Sequence, residues 1–391
     1  MRPPLDRESA MPKLSLRTLR ELFLPLGQII VFVIASSLVM SVIVLLLAVL
    51  LRGTRTDTDL LVGVFAQLPQ TVIDGITLGF LYALIALGYT MVYGVLEFIN
   101  FAHSEIYMVG AFAGVELALV LQSAKVLAAI PPLVYVVLAV LAGMTASGLL
   151  AVTVERIAYR PLRGAPRLVP LISAVGVSFF LQDAVRMFES FNRNAFYLTY
   201  PVIPSFDRRI IFGSLATATG GTIDVGISVK VIIFIVAAVL MLIALNYLVN
   251  ATKLGTSIRA VAQDRSTAAL MGINVNQVIA MTFLIGGSLG GAAGVLAGIK
   301  AGTIDPFFGF IPGIKAFTAA VLGGIGNITG AMLGGITLGL LEAFVASYLT
   351  LFSKGALPGA DYAAITAFMI LIGILIFRPS GLLGEQVGQK A

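Results

Sequence analysis

A cluster of polar side chains interrupts a long apolar stretch around residue 100, and its members are of types that can bind polar solutes. The cluster comprises Glu97, Asn100, His103, Ser104 and Glu105. A spacing of three residues predicts that Glu97, Asn100 and His103 share one helical face. Ionisable groups at membrane depth are costly and usually face a cavity or one another. Two interpretations follow: Asn100, His103 and Glu105 line or gate a solute route, or they are polar contacts at a helix break.

The segment from Asp264 to Gly272 carries the signals of a short helix with a cap at each end. Asp264 is a good N-cap residue, and Gly272 stands where a left-handed residue ends a helix. Arg265 follows the cap, and the small residues Ala268 and Ala269 lie near the far end. Taken alone, these features are typical of an ordinary loop helix at a membrane surface.

Several kinds of chemistry are excluded by residue content. The chain has no cysteine and one histidine, which excludes disulfides, thiolate metal sites and histidine-cluster metal sites. No lysine follows a glycine, so the phosphate-binding loop of nucleotide hydrolases is absent. We therefore expect no cofactor and no enzymatic activity, and any ATP hydrolysis must occur on a separate chain. The net charge of +6 lies in loops between apolar segments and does not indicate a nucleic-acid partner.

The elements that position these residues are predicted to be membrane helices. Hydrophobic residues make up 59% of the 391 residues and charged residues 11%, whereas soluble domains have about 45–50% and 25%. A membrane helix needs about 20 apolar residues. We predict an all-α polytopic integral membrane protein with about ten such helices, the eighth short and glycine-rich. They lie near 26–51, 71–95, 105–122, 126–152, 169–190, 229–250, 276–300, 313–326, 330–351 and 361–378.

The basic loops predict the orientation. Loops 153–168 and 251–275 are rich in Arg and Lys, which concentrate on the cytoplasmic side of membrane proteins. Counting helices from these loops places both termini in the cytoplasm and the stretch 191–228 outside. Glycines repeat every four residues from Gly286 to Gly298, and such spacing indicates close helix packing in lipid. Glu116, Asp183 and Glu342 also fall within predicted helices, where each needs a partner or marks the route.

Three stretches resemble the permeases of branched-chain amino acid ABC importers. They read DGITLGFLYALIALGYTMVYGVLEFINFAHSEIYMVG from Asp74, RAVAQDRSTAALMGINVNQVIAMTFLIGG from Arg259, and GIKAFTAAVLGGIGNITGAMLGG from Gly313. The segments YRPLR at 159–163 and RPSGLLG at 378–384 are also similar to that family. The resemblance divides the chain into residues 1–65, a basic arm with an additional membrane helix, and residues 66–391, the permease transmembrane domain.

The resemblance implies a function and a set of partners. It implies an ABC importer permease fold that moves branched-chain or related amino acids from a periplasmic binding protein into the cytoplasm. The implied partners are two ATP-binding subunits, a second homologous permease forming a heterodimer, the binding protein and the lipid of a bacterial inner membrane. Asp264, Arg265, Ala268, Ala269 and Gly272 resemble the coupling helix, which sits in a groove of the ATPase subunit.

Other functions remain open at this stage. Permeases for urea, short amides or sugars share similar glycine-rich segments and are the main alternative. A secondary transporter would need no ATPase, but several of its helices would carry ionisable residues near their centres. A membrane enzyme is disfavoured by the lack of a nucleophile motif.

Overall fold

The computed structural model describes residues 16–52, 59–166, 168–216, 222–378 and 380–384. The basic arm residues Arg2, Arg7 and Lys13 lie outside this part of the chain. The helices are α1 Leu16–Arg52, α2 Asp59–Leu96, α3 His103–Ser123, α4 Pro132–Val154, α5 Leu168–Arg193, α6 Pro204–Asp207, α7 Val229–Ala251, α8 Lys253–Gln263, α9 Arg265–Leu270, α10 Val275–Ala301, α11 Phe310–Gly323, α12 Ile328–Phe352 and α13 Gly359–Phe377. The strands are β1 Leu198–Thr199, β2 Arg209–Ala216, β3 Thr222–Ser228 and β4 Thr303–Ile304.

Nine helices in the described part of the chain are long and apolar enough to cross a membrane. The eighth predicted helix corresponds to α11, which has 14 residues. At 1.5 Å per residue α11 is about 21 Å long, shorter than the ~30 Å hydrocarbon core. Where about ten helices were predicted, the described residues form nine long apolar helices and the shorter α11. The helix α2 has 38 residues and starts at Asp59, twelve residues before its predicted start.

Glycine contacts hold the central helices at backbone distance. A Cβ atom added to Gly110 on α3 would lie 2.3 Å from the Cα atom of Gly291 on α10. One added to Gly339 on α12 would lie 2.4 Å from the Cα atom of Gly79 on α2. Within the predicted repeat, a Cβ atom added to Gly294 would lie 2.0 Å from the carbonyl oxygen of Tyr107 on α3, so the close packing predicted from glycine spacing is confirmed.

The stretch predicted as an external polar loop, 191–228, contains three of the four strands that form two small antiparallel sheets. Strand β1 pairs with β4, which directly follows α10, and β2 pairs with β3 as a hairpin. The hairpin is attached to α2 because the amide of Gly226 donates to the side-chain oxygen of Gln70 at 3.2 Å. Tyr200, next to β1, donates its hydroxyl to the carbonyl of Ala111 on α3 at 2.7 Å. These contacts fix one end of the bundle.

At the opposite end, α4 continues without a break into a π-helical turn, Glu155–Tyr159, and a 3-10 turn, Arg160–Leu162. Helices α7, α8, α9 and α10 also follow one another with only short connections. The two segments meet where Arg163 donates to the side-chain oxygen of Asn276, at the start of α10, at 2.6 Å. The sequence-predicted functional residues lie at this end and in the adjacent core.

Candidate functional site

Helix α9 begins at a side-chain cap. Asp264 has an extended backbone, and its carboxylate accepts hydrogen bonds from the amides of Ser266 at 2.8 Å and Thr267 at 3.2 Å. The hydroxyls of the same two residues also donate to it, at 2.7 and 2.6 Å. These bonds stabilise the charged form, so the hydrogen bonds from Ser266 and Thr267 hold the pKa of Asp264 well below its ordinary value. The predicted N-cap is confirmed.

Helix α9 ends at a left-handed glycine. Gly272 has φ +84°, and no atom lies within 4 Å of the position that a Cβ would take. The constraint at Gly272 is therefore its backbone conformation and not a lack of space. The amide of Ile273 donates to the carbonyl of Ala268 at 3.1 Å and satisfies one of the last carbonyls of the helix. The predicted C-terminal glycine is confirmed.

The exposed surface of α9 differs from the expected alanine pair. Ala268 is only 4% exposed and packs against the body of the protein, so its methyl group is not available to a partner. Ala269 is exposed, and it is followed by Leu270 at 87% and Met271 at 79% exposure. Large apolar side chains this exposed outside the membrane helices are typical of a protein contact surface. The exposed side chains at the end of α9 are therefore those of Ala269, Leu270 and Met271.

A cavity of about 790 Å³ lies behind α9. It separates the N-terminal half of α9 from the end of α2 and the start of α5. Its lining combines charged and apolar groups from four segments: Leu96, Glu97, Phe98, Arg163, Ala165, Pro170, Val261, Ala262, Gln263, Asp264, Arg265, Ser266 and Thr267. The cavity therefore borders both the capped start of α9 and the end of α2 at Leu96.

The polar cluster near residue 100 lies at a helix break, and the predicted helical face is wrong. Helix α2 ends at Leu96, Glu97 has φ +58°, and α3 starts only at His103. Residues 97–102 form a non-helical connection, so Glu97 and Asn100 are not stacked at helical spacing. Asn100, His103 and Glu105 are each at most 2% exposed, which places this break in the protein core.

His103 fills a space between two glycines. A Cβ atom on Gly88 of α2 would lie 2.1 Å from the imidazole Nε2 atom, and one on Gly290 of α10 would lie 3.3 Å from the ring. The ring of Tyr89 packs edge-on against the imidazole with a centroid distance of 4.8 Å, and the imidazole Nε2 atom is buried without a hydrogen-bond partner in the described part of the chain. These contacts describe a histidine that joins α3 to α2 and α10.

Asn100 and Glu105 bond to residues that the sequence analysis did not identify. The side-chain oxygen of Asn100 accepts the hydroxyl of Tyr159 at 2.6 Å. One oxygen of Glu105 accepts Gln182 at 2.8 Å and Ser178 at 3.2 Å, both from α5. Within the described part of the chain, Asn100 Nδ2 and Glu105 Oε2 are buried without a partner. Tyr159 lies in the YRPLR segment, but no spacing rule connects it to Asn100.

Two of the three carboxylates noted within predicted helices have clear ion-pair partners. Glu342 pairs with Lys315 of α11 and accepts the hydroxyl of Tyr82 at 2.7 Å. Glu116 accepts two hydrogen bonds from Arg193, at 2.7 and 2.6 Å. Both carboxylates thus join neighbouring helices, as expected for charges that must be paired away from water.

Comparison with known proteins places these features in a family. The model of the family described as "Branched-chain amino acid transport system / permease component" matches residues 71–377. The chain is 41% identical over 321 residues to the high-affinity branched-chain amino acid transport system permease protein BraD of Pseudomonas aeruginosa, covering 82% of this chain and 97% of that protein. It is 36% identical over 326 residues to the permease protein LivH of Escherichia coli, covering 83% and 98%.

A weaker similarity connects the chain to sugar permeases. The fructose import permease protein FrcC of Rhizobium meliloti is 30% identical over 148 residues, which is 36% of this chain and 38% of that protein. The full-length matches and the helical bundle define a multi-pass membrane permease of an ABC importer, not a catalytic subunit. The chain belongs to the branched-chain amino acid transport permease family. A permease of this kind works with ATP-binding and solute-binding partners.

Proposed function

We propose that this chain forms the membrane route for branched-chain amino acids in an ATP-driven importer. The observation that carries this proposal is the 41% identity to BraD across 97% of that protein. The similarity to FrcC covers only 36% of the chain, so the sugar alternative has much weaker support. A route for urea or short amides has no supporting observation of its own.

The partners proposed for this chain are two ATP-binding subunits, a second homologous permease and a periplasmic solute-binding protein. The missing phosphate-binding loop requires that ATP be hydrolysed on another chain. The coupling role of Asp264, Arg265, Ala269 and Gly272 is supported by the capped, protruding α9 with exposed Leu270 and Met271. Ala268 is buried against the body of the protein and is proposed to hold α9 in place.

The proposed location of the protein is a bacterial inner membrane, with both termini in the cytoplasm. The hydrogen bond between Arg163 and Asn276 supports this orientation, because the bond holds the two arginine-rich loops together at one end of the bundle.

The sequence has no cysteine, so single introduced cysteines can test the orientation. A cysteine at Arg160 should be protected from an impermeant maleimide in intact cells, and one at Val202 should react. The reverse pattern would contradict this orientation.

Residues 1–65 are proposed to be an addition to the permease domain. The family model starts at residue 71, and α1 exposes most of its apolar side chains. Its buried contacts include Ile29, Val44 and Ala48. The proposed role is a membrane anchor or insertion aid. A chain that starts at Asp59 should retain transport per inserted molecule, and complete loss of transport by an inserted truncated chain would contradict this role.

Asn100, His103 and Glu105 remain the candidates for the solute route. The unpartnered atoms of Asn100 and Glu105 support this role, since a polar solute or water could satisfy them. The Nε2 atom of His103 is also unpartnered in the described part of the chain, whereas the contacts of the imidazole with Gly88 and Gly290 support a packing role. Glu105→Gln should reduce uptake with normal insertion, and unchanged uptake would remove Glu105 from the route.

The decisive experiment is uptake by the complete complex in proteoliposomes. The chain is co-expressed with its neighbouring permease, ATPase and binding-protein genes, purified as a complex and loaded with ATP inside the vesicles. Labelled leucine should accumulate only with ATP and the binding protein, and an ATPase-deficient partner serves as the control. Uptake driven by an ion gradient without ATP would contradict the proposal, and uptake of ribose or urea in place of leucine would redirect it.

A further inference from the structure

A chain of polar contacts runs from the residues behind α9 to the helix break in the core. Helix α10 starts at Val275, three residues after Gly272. Its second residue, Asn276, accepts a hydrogen bond from Arg163 at 2.6 Å. The guanidinium of Arg163 also pairs with the carboxylate of Glu155, which is 1% exposed. These contacts tie the start of α10 to the segment that follows α4.

The π-helical turn links Glu155, which pairs with Arg163, to Tyr159 along the backbone. Glu155 is the first residue of the turn and Tyr159 the last. Turns of this kind are rare and occur frequently at functional sites. The hydroxyl of Tyr159 donates to Asn100 at 2.6 Å, and its ring packs on Phe98 and Phe283 at centroid distances of 5.3 and 5.8 Å.

We propose that Tyr159 is a positioning residue that transmits movement of α9 to Asn100. This inference rests on the proposed function, in which α9 receives the movement of the ATPase. The cavity behind α9 leaves room for that movement. Asn100 lies in the non-helical connection 97–102, and its carbonyl accepts the amide of His103 at 3.1 Å, so a shift of Asn100 also reaches the start of α3. Networks of hydrogen bonds and ion pairs can carry coupling between distant sites, and the contacts from Arg163 to Asn100 form such a connected network.

The test is the variant Tyr159→Phe, which removes the hydroxyl and keeps the ring packing. Tyr135→Phe is the matched control, because Tyr135 is also buried and its hydroxyl has no partner in the described part of the chain. In the reconstituted complex, Tyr159→Phe should lower the number of leucine molecules imported per ATP by about tenfold, within the usual range of coupling effects. ATP hydrolysis and co-purification of the ATPase should stay within about twofold of the wild type.

A second substitution, at Asn100, completes a double-mutant cycle with Tyr159→Phe. Asn100→Leu removes the acceptor, and the double variant should transport no less per ATP than Asn100→Leu alone, because the hydrogen bond is already absent in that variant. If Tyr159→Phe behaves like Tyr135→Phe, or if hydrolysis and uptake fall together, the proposal is overturned. The wild-type complex separates this result from failure of the proposed function, since only that failure removes leucine uptake in the wild type.

Discussion

Helix α9 and the connection 97–102 both interrupt long helices, but they do so in opposite surroundings. Helix α9 protrudes from the bundle, and its polar residues satisfy its own backbone through local bonds. The connection 97–102 lies in the core, and its polar side chains bond to distant segments. Exposed Leu270 and Met271 suit a surface that binds another protein, whereas buried polar groups suit a point where helices are held and moved.

The largest effect is expected in the core, at the contact between Gly88 and His103. Gly88→Ala should lower the free energy of unfolding by about 1–3 kcal/mol, the usual cost of overpacking. The cause is a Cβ atom 2.1 Å from the imidazole. The measurement is the thermal midpoint of the purified permease and its amount in membranes. Gly94→Ala is the control on the same helix, since nothing lies within 4 Å of a Cβ there.

The double variant Gly88→Ala with His103→Ala distinguishes packing from a role in the solute route. Removal of the imidazole relieves the clash, so Gly88→Ala should cost less stability in the His103→Ala background than in the wild type, although His103→Ala itself leaves a cavity. A folded but inactive double variant would show that His103 lines the route. An equal cost of Gly88→Ala in both backgrounds would contradict the packing account.

A smaller effect is expected from the exposed side chains of α9. Full burial of a Leu or Met side chain contributes about 1.5–3 kcal/mol, and only part of this appears as binding affinity, so Leu270→Gln with Met271→Gln should weaken ATPase binding by about tenfold. The thermal midpoint of the permease alone should not change, because both side chains are exposed. Val202→Gln, at a 78% exposed position near the opposite end, is the control. Unchanged ATPase association in the Leu270 and Met271 variant would contradict the assigned surface.

The difference between the two regions also explains what could be predicted from the sequence. The ends of α9 were predictable because Asp264 and Gly272 act on neighbouring backbone groups. The burial of Ala268 was not, because it depends on how α9 lies against the bundle. The bond from Tyr159 to Asn100 was not predictable either, because it joins residues that are 59 positions apart. Hydropathy predicted most helices, but not the hairpin of β2 and β3, which has no apolar core of its own.

The most direct test of the central claim is Ala269→Glu, which places a charge in the middle of the proposed ATPase contact. Ala251→Glu is the control, because Ala251 is also exposed and precedes the same arginine-containing segment but lies outside α9. The measurement is ATP hydrolysis stimulated by the loaded binding protein, with co-purification of the ATPase. Ala269→Glu should insert normally, lose stimulated hydrolysis and release the ATPase, while Ala251→Glu should retain both. Normal hydrolysis and uptake with Ala269→Glu would contradict the role of α9 and make segment 153–168 the next candidate.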